Sequence, residues 1–231
     1  RCPNPATPYT MTTILLLKLL HLLAFVYWLG GDLGTFLSSR YVVDSRLSPA
    51  QRGVALKIML GCDQGPKLGM PLIFALGYSL GARMGFIGGS VLVEAGVWLI
   101  ALLWLANVNY LYFTQNAAAK ARLSLIDLWS RVVIVASLVA AGLWSLVDPC
   151  LIRADWVAFK CLVFAALVAC GIYIRIQLKP FVAAFGQLMV GGSTAEVEAT
   201  LTRALGRCRP AVYLIWSGLV INAALGLHLI P

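Results

Sequence analysis

The chain has 231 residues, of which 61% are hydrophobic and only 12% charged, and its formal net charge is +9. A water-soluble domain carries about 25% charged residues, and the mean hydropathy of +0.87 points to a surface facing lipid. The basic residues lie between apolar runs rather than on one polar face, which excludes a nucleic-acid binder and makes the positive charge a membrane-topology signal.

In chain order, six apolar segments are long enough to span a bilayer, which takes about 20 residues: 12–37, 66–82, 87–113, 131–147, 156–174 and 210–229. The expected fold is all-α, a single transmembrane helix bundle of about six spans over residues 1–231. Ahead of the first span stands Arg1, which is no initiator, and Met11 directly precedes the apolar run. We expect the first span to stay as an anchor, because no cleavable signal pattern precedes it.

The connections alternate in charge. Arg40, Arg46, Arg52, Lys57 and Lys67 follow or flank the first, Lys120, Arg122 and Arg131 the third, and Arg175, Lys179, Arg203, Arg207 and Arg209 the fifth. The other side holds only Arg1, Arg83 and Arg153. Positive charge marks the cytoplasmic side, so both termini are expected in the periplasm of a bacterial inner membrane. Cys2 and Cys150 share that outer side, where a disulfide persists. Cys161 and Cys170 read as small buried hydrophobes, and Cys62 and Cys208 as free thiols.

Two long connectors, 48–64 and 193–209, read as amphipathic helices lying on the cytoplasmic face, apolar side toward lipid. Each opens on a Ser with Gln or Glu three residues later, the capping-box spacing, and each ends at a Pro that starts a span. Lys18 and Lys160 stand near the starts of the preceding spans. The halves 14–82 and 156–229 therefore resemble a weak internal repeat. Gly30 with Gly34, Gly77 with Gly81, and the stripe Gly218, Asn222, Gly226 are spaced for close helix contact.

Ionisable residues inside a bilayer are costly and mark sites. On the first span, Lys18, His21, Phe25, Trp28, Asp32 and Thr35 share one helical stripe. Glu94 and Trp98 share a face of the third span, Lys160 follows Trp156 on the fifth, and His228 ends the sixth. Lys18, His21, Glu94, Lys160 and His228 are thus expected to converge in the outer leaflet, with Asp32, Asp63 and Lys67 toward the other. The plainer alternatives are snorkelling for Lys18, an ion pair or snorkelling for Lys160 and Glu94, and an interfacial position for His228. His21 lies too deep to reach water. A histidine in a helical bundle suits axial haem ligation, with His21 as the ligand to the iron and Lys18, Trp28 and His228 lining the cofactor. Two histidines and no paired outer cysteines exclude a closed zinc or copper site.

The stretch Lys18-Leu-Leu-His21-x6-Trp28-Leu-Gly-Gly31 resembles the first helix of the HemJ/CopD-like bacterial membrane proteins. Trp156-Val-Ala-Phe-Lys160 resembles the Trp-x-x-x-Lys of a later helix in HemJ-type protoporphyrinogen oxidases. The resemblance implies a b-type haem, with His21 as the functional histidine and Lys160 as the functional lysine of porphyrinogen oxidation. Those proteins are shorter and have four helices, so the six expected here imply a relative with a role of its own. Three readings stay open. The first is a haem redox protein, with Lys160 and Glu94 as the catalytic residues. The second is a non-catalytic subunit of a larger membrane complex or homo-oligomer, and the third a small-molecule or copper transporter.

Overall fold

The computed structural model describes residues 11–229. Eight helices follow one another: α1 (Met11–Val42), α2 (Pro49–Cys62), α3 (Gln64–Arg83), α4 (Val91–Phe113), α5 (Ala117–Ser145), α6 (Asp155–Gln177), α7 (Lys179–Gly191) and α8 (Ala195–Gly226). Among the described residues, the extended pairing is an isolated antiparallel bridge between Ile87 and Ile152. Five helices, α1, α4, α5, α6 and α8, are long and apolar enough to cross a membrane, and the chain is a multi-pass membrane protein. Only 11% of the most apolar stretch of α1 is buried. An outer surface so apolar is compatible with lipid and not with water.

α3 is the sixth long helix. Its 20 residues extend about 30 Å, the thickness of a hydrocarbon core. It is less apolar than the five because other helices cover it, and small residues replace large ones so that backbones can approach. α1 and α3 pack antiparallel, since Gly65 sits at Gly31, Gly69 at Trp28 and Gly77 at His21. A Cβ on Gly31 would stand 2.7 Å from both the Cys62 carbonyl oxygen and the Gly65 Cα. Around Gly30 there is nothing within 4 Å, so the expected Gly30–Gly34 pair is corrected: Gly31 and Gly34 form the contact face. On the other side of the bundle Gly218 of α8 receives Leu167 of α6. Trp28, Met70, Trp104, Phe164, Leu167 and Ile215 join the long helices in one core.

Several expected boundaries move. α5 begins at Ala117, well before the expected 131: Lys120 and Arg122 of its first turns are exposed, and Asp127 and Arg131, which follow them, pair with each other inside the protein. α4 starts at Val91 with Ser90 as its N-cap, and residues 87–90 are instead loop, tied to 151–153 by Gly88 N–H donating to Leu151 O (2.8 Å) and Arg153 N–H to Phe86 O (2.8 Å). α8 runs continuously through Pro210, where a break was expected. Pro210 is exposed, so its ring displaces no packed neighbour.

The connectors differ from surface helices facing lipid. α2, α7 and the start of α8 turn their apolar sides on one another, burying Met59, Phe181, Phe185, Leu188, Val197 and Leu201. α7 was not expected at all. The capping box of α2 is present, with Ser48 accepting from Gln51 N–H and Gln51 answering the Ser48 backbone. At α8 the cap is Thr194, accepting from Val197 N–H, and Ser193 instead donates to Glu198 (2.6 Å). Arg52, 1% exposed, clamps this small core. It donates to the Val42 carbonyl (2.8 Å) and to both oxygens of Glu198 (2.6 and 3.1 Å). In the turn before α2, hydrogen bonds from Arg46 hold the Asp44 carboxyl down at about 2.

Cys150 is disulfide-bonded. Cys2, which the sequence puts on the same side, lies outside the described residues, and Cys62, Cys161, Cys170 and Cys208 are free.

Candidate functional site

The polar stripe of α1 is carried inward by the α1–α3 contact. Burying that face on glycines lets large and polar side chains sit where two backbones nearly touch. His21 is the outermost of them. Its Cε1 lies 3.2 Å from where a Cβ on Gly77 would stand, and its Nδ1 is buried with no hydrogen-bond partner. An unpartnered polar atom in low dielectric is costly, so this nitrogen marks a place where something else belongs.

Lys160 of α6 stands close enough to His21 for their charges to interact. Its Nζ lies 5.7 Å from the Trp156 ring and 2.8 Å from where a Cβ on Gly226 would be. Gly226 therefore makes the room for the ammonium group. Lys160 pairs with no carboxylate among the described residues. Its cation–π contact is worth about 2 kcal/mol when desolvated, well short of an ion's burial penalty.

Trp156 closes this end. Its ring meets the His228 ring edge-on at 4.9 Å and Phe86 at 5.1 Å. His228 is exposed, with a left-handed backbone (φ 55°), so it sits at the mouth rather than at the depth of His21. Trp28 is fully buried, donates from Nε1 to Asp32 Oδ2 (3.2 Å) and meets Phe164 edge-on at 6.0 Å. Lys18 is exposed. The structure thus groups His21 of α1, Lys160 and Trp156 of α6 and His228 just past the end of α8, with Trp28 one layer deeper.

Glu94 joins a different group. Its Oε1 accepts from Ser79 Oγ (2.6 Å) and pairs with Arg83, while Trp98 Nε1 donates to Ser79 (2.9 Å). Its partners lie on α3, and Lys160 is not among them. Farther along α1, Asp32 interacts with Asp63, which is bridged to Lys67 at 2.5 Å.

A further charged group escaped the sequence reading. Asp127 of α5, 4% exposed, accepts from Arg131 Nε (3.0 Å) and Arg175 Nη1 (2.6 Å). Arg175 also donates to the Ser124 carbonyl (2.5 Å). Arg131 lies over the Trp104 ring (5.2 Å) and reaches Met70 Sδ (3.5 Å). The spacing Asp127-x3-Arg131 is a readable helix ion pair. Nothing in the sequence tied Arg175 to it.

Among the described residues no three His, Cys, Asp or Glu side chains come together as a metal site. No protein-family model, curated protein or solved structure matches the chain.

Proposed function

We propose that the chain is an integral membrane haem protein with a redox role, electron transfer or porphyrinogen-type oxidation, and that His21 is the axial ligand. The observation that carries the proposal is the pairing of a buried, unpartnered His21 nitrogen with a neighbouring Lys160 that has no counter-ion. A haem offers both complements, an iron for imidazole and propionate carboxylates for an ammonium. The glycines at 77 and 226 admit each group between the helices, the His21 ring over Gly77 and the Lys160 ammonium over Gly226.

In this proposal His21 would hold the iron through its imidazole, and Gly77 gives the ring its place against α3. Lys160 binds a propionate or a carboxylate of the substrate, a charge-assisted contact that is strong away from water. Trp156 and His228 cover the mouth, Trp28 lines the deeper layer, and Lys18 engages the outer headgroups or a propionate. When bound, haem supplies one-electron chemistry that no side chain here provides. Glu94, held by Arg83 and Ser79, is the second catalytic residue of this reading, at the same end of the bundle. The proposal includes six spans, with α3 the sixth, in a bacterial inner membrane with both ends periplasmic. It also includes the distant repeat of 14–82 in 156–229.

The test is an absorption spectrum of protein purified in mild detergent after expression with added haem, wild type beside His21→Ala. A Soret band in the wild type that is lost in the variant is expected. A colourless wild type overturns the proposal.

A further inference from the structure

A groove of about 340 Å³ lies on the flank of the bundle between α6 and α8, lined by Ala169, Cys170, Tyr173, Pro210, Ala211 and Leu214. It is on neither the His21–Lys160 group nor the α1–α3 contact. Its walls are almost wholly apolar, and both helices that form it are long and apolar enough to cross a membrane.

Three further features converge on it. Arg203, Arg207, Pro210 and Leu214 are spaced by four, three and four residues, which places them along one stripe of α8. All four are exposed. The groove therefore continues, one and two turns beyond Pro210, into two guanidinium groups. Neither Arg203 nor Arg207 has an ion-pair partner among the described residues. Third, Pro210 has no N–H to give the carbonyl of Gly206, four residues earlier in the helix. Gly206 is exposed, and its carbonyl, which loses its helical donor at Pro210, stands one turn from the groove and next to Arg207 in the chain.

We propose that this groove is a binding site for an anionic phospholipid carrying hydroxyls in its headgroup, with one acyl chain between Tyr173 and Leu214. The phosphate meets Arg207 and Arg203, and a headgroup hydroxyl donates to the Gly206 carbonyl. The order along α8, apolar groove, free acceptor, then cations, is the order of a glycerophospholipid from chain to headgroup. Basic pockets between membrane helices select anionic lipids by this chemistry.

The experiment is native mass spectrometry of the detergent-purified full chain, titrated with phosphatidylglycerol or with phosphatidylcholine of the same acyl chains. The wild type is expected to retain phosphatidylglycerol preferentially. Arg203→Gln with Arg207→Gln is expected to weaken that binding about thirtyfold, from roughly 1 kcal/mol for each of the two arginines. Ala169→Trp, at an exposed position, fills the groove and is expected to weaken retention of both lipids. All three changes are on the outer surface, and circular dichroism verifies that the helices persist. Equal retention of the two lipids by the wild type overturns the proposal, as does a preference that survives the arginine changes. Unchanged binding in Ala169→Trp, or a dimer that this change dissolves, assigns the groove elsewhere and also overturns it.

Discussion

At the scale of single residues, glycine decides where chemistry can sit. Gly77 and Gly226 carry no catalytic group, yet each is the reason that a polar side chain, His21 or Lys160, fits between helices. Gly31 does the same for two backbones. Gly31→Ala forces a Cβ to within 2.7 Å of Gly65 and the Cys62 carbonyl. It is expected to lower stability by about 1–3 kcal/mol, the cost of overpacking. Gly30→Ala, with nothing within 4 Å, is expected to be neutral or slightly stabilising, since Ala is the better helix former. Thermal unfolding of the two variants in detergent separates these outcomes, and equal losses would refute the assignment of the contact face.

At the scale of elements, α5 shows how charges enter a membrane helix. Asp127 shares one carboxylate oxygen between Arg131 and Arg175, and the aromatic face of Trp104 lies under the first guanidinium. These partners replace water at Oδ2, while Asp127 Oδ1 is buried with no hydrogen-bond partner. Asp127→Asn removes the only carboxylate of the group and leaves two arginines facing each other's charge. A loss of about 3–5 kcal/mol is expected, as for breaking a buried ion pair, read as the shift in denaturant midpoint of the detergent-solubilised protein. Arg175→Gln is expected to lose less, because that side chain is 31% exposed against 9% for Arg131. If Asp127→Asn unfolds at the wild-type midpoint, the network does not hold α5 to α6. Arg52 plays the corresponding part for the connectors, where it joins α1, α2 and α8 through Val42 and Glu198.

At the scale of the whole molecule, the helices alternate so that the basic connectors gather at one end and the short loops 84–90 and 146–154 at the other. The bridge between Ile87 and Ile152 and the Phe86–Trp156 contact bind these short loops together over the His21–Lys160 group. Positive charge is retained on the cytoplasmic side during insertion, so this closed end is expected to face the periplasm. Val91→Cys, at an exposed site beside the short loops, should react with a membrane-impermeant maleimide in intact cells. Ser45→Cys, in the turn before α2, should react only after lysis. The opposite pattern would invert the orientation and place the site on the cytoplasmic side.

How much was legible follows from what each signal depends on. Hydropathy and length are local sums, so the helical membrane class, the cores of α1, α4 and α6, and the polar stripe of α1 were readable residue by residue. Depth along a helix is also local, because the rise per residue is constant, and so His21 and Lys160 could be set near one level before any packing was known. The glycine that notches against His21, the choice of Arg83 rather than Lys160 as the partner of Glu94, and the convergence of Arg175 on Asp127 were not readable. Each depends on which helix lies beside which and on their rotation about their axes. The extension of α5 through its charges and of α8 through Pro210 has the same origin, since the penalty for a charge or a proline in a membrane helix vanishes or stands according to what tertiary packing sets against it. The sequence by itself therefore determined the solvent, the helices and the depth of the ionisable groups. Only the tertiary structure decided their partners, because partnership is a property of pairs of surfaces and not of any one segment.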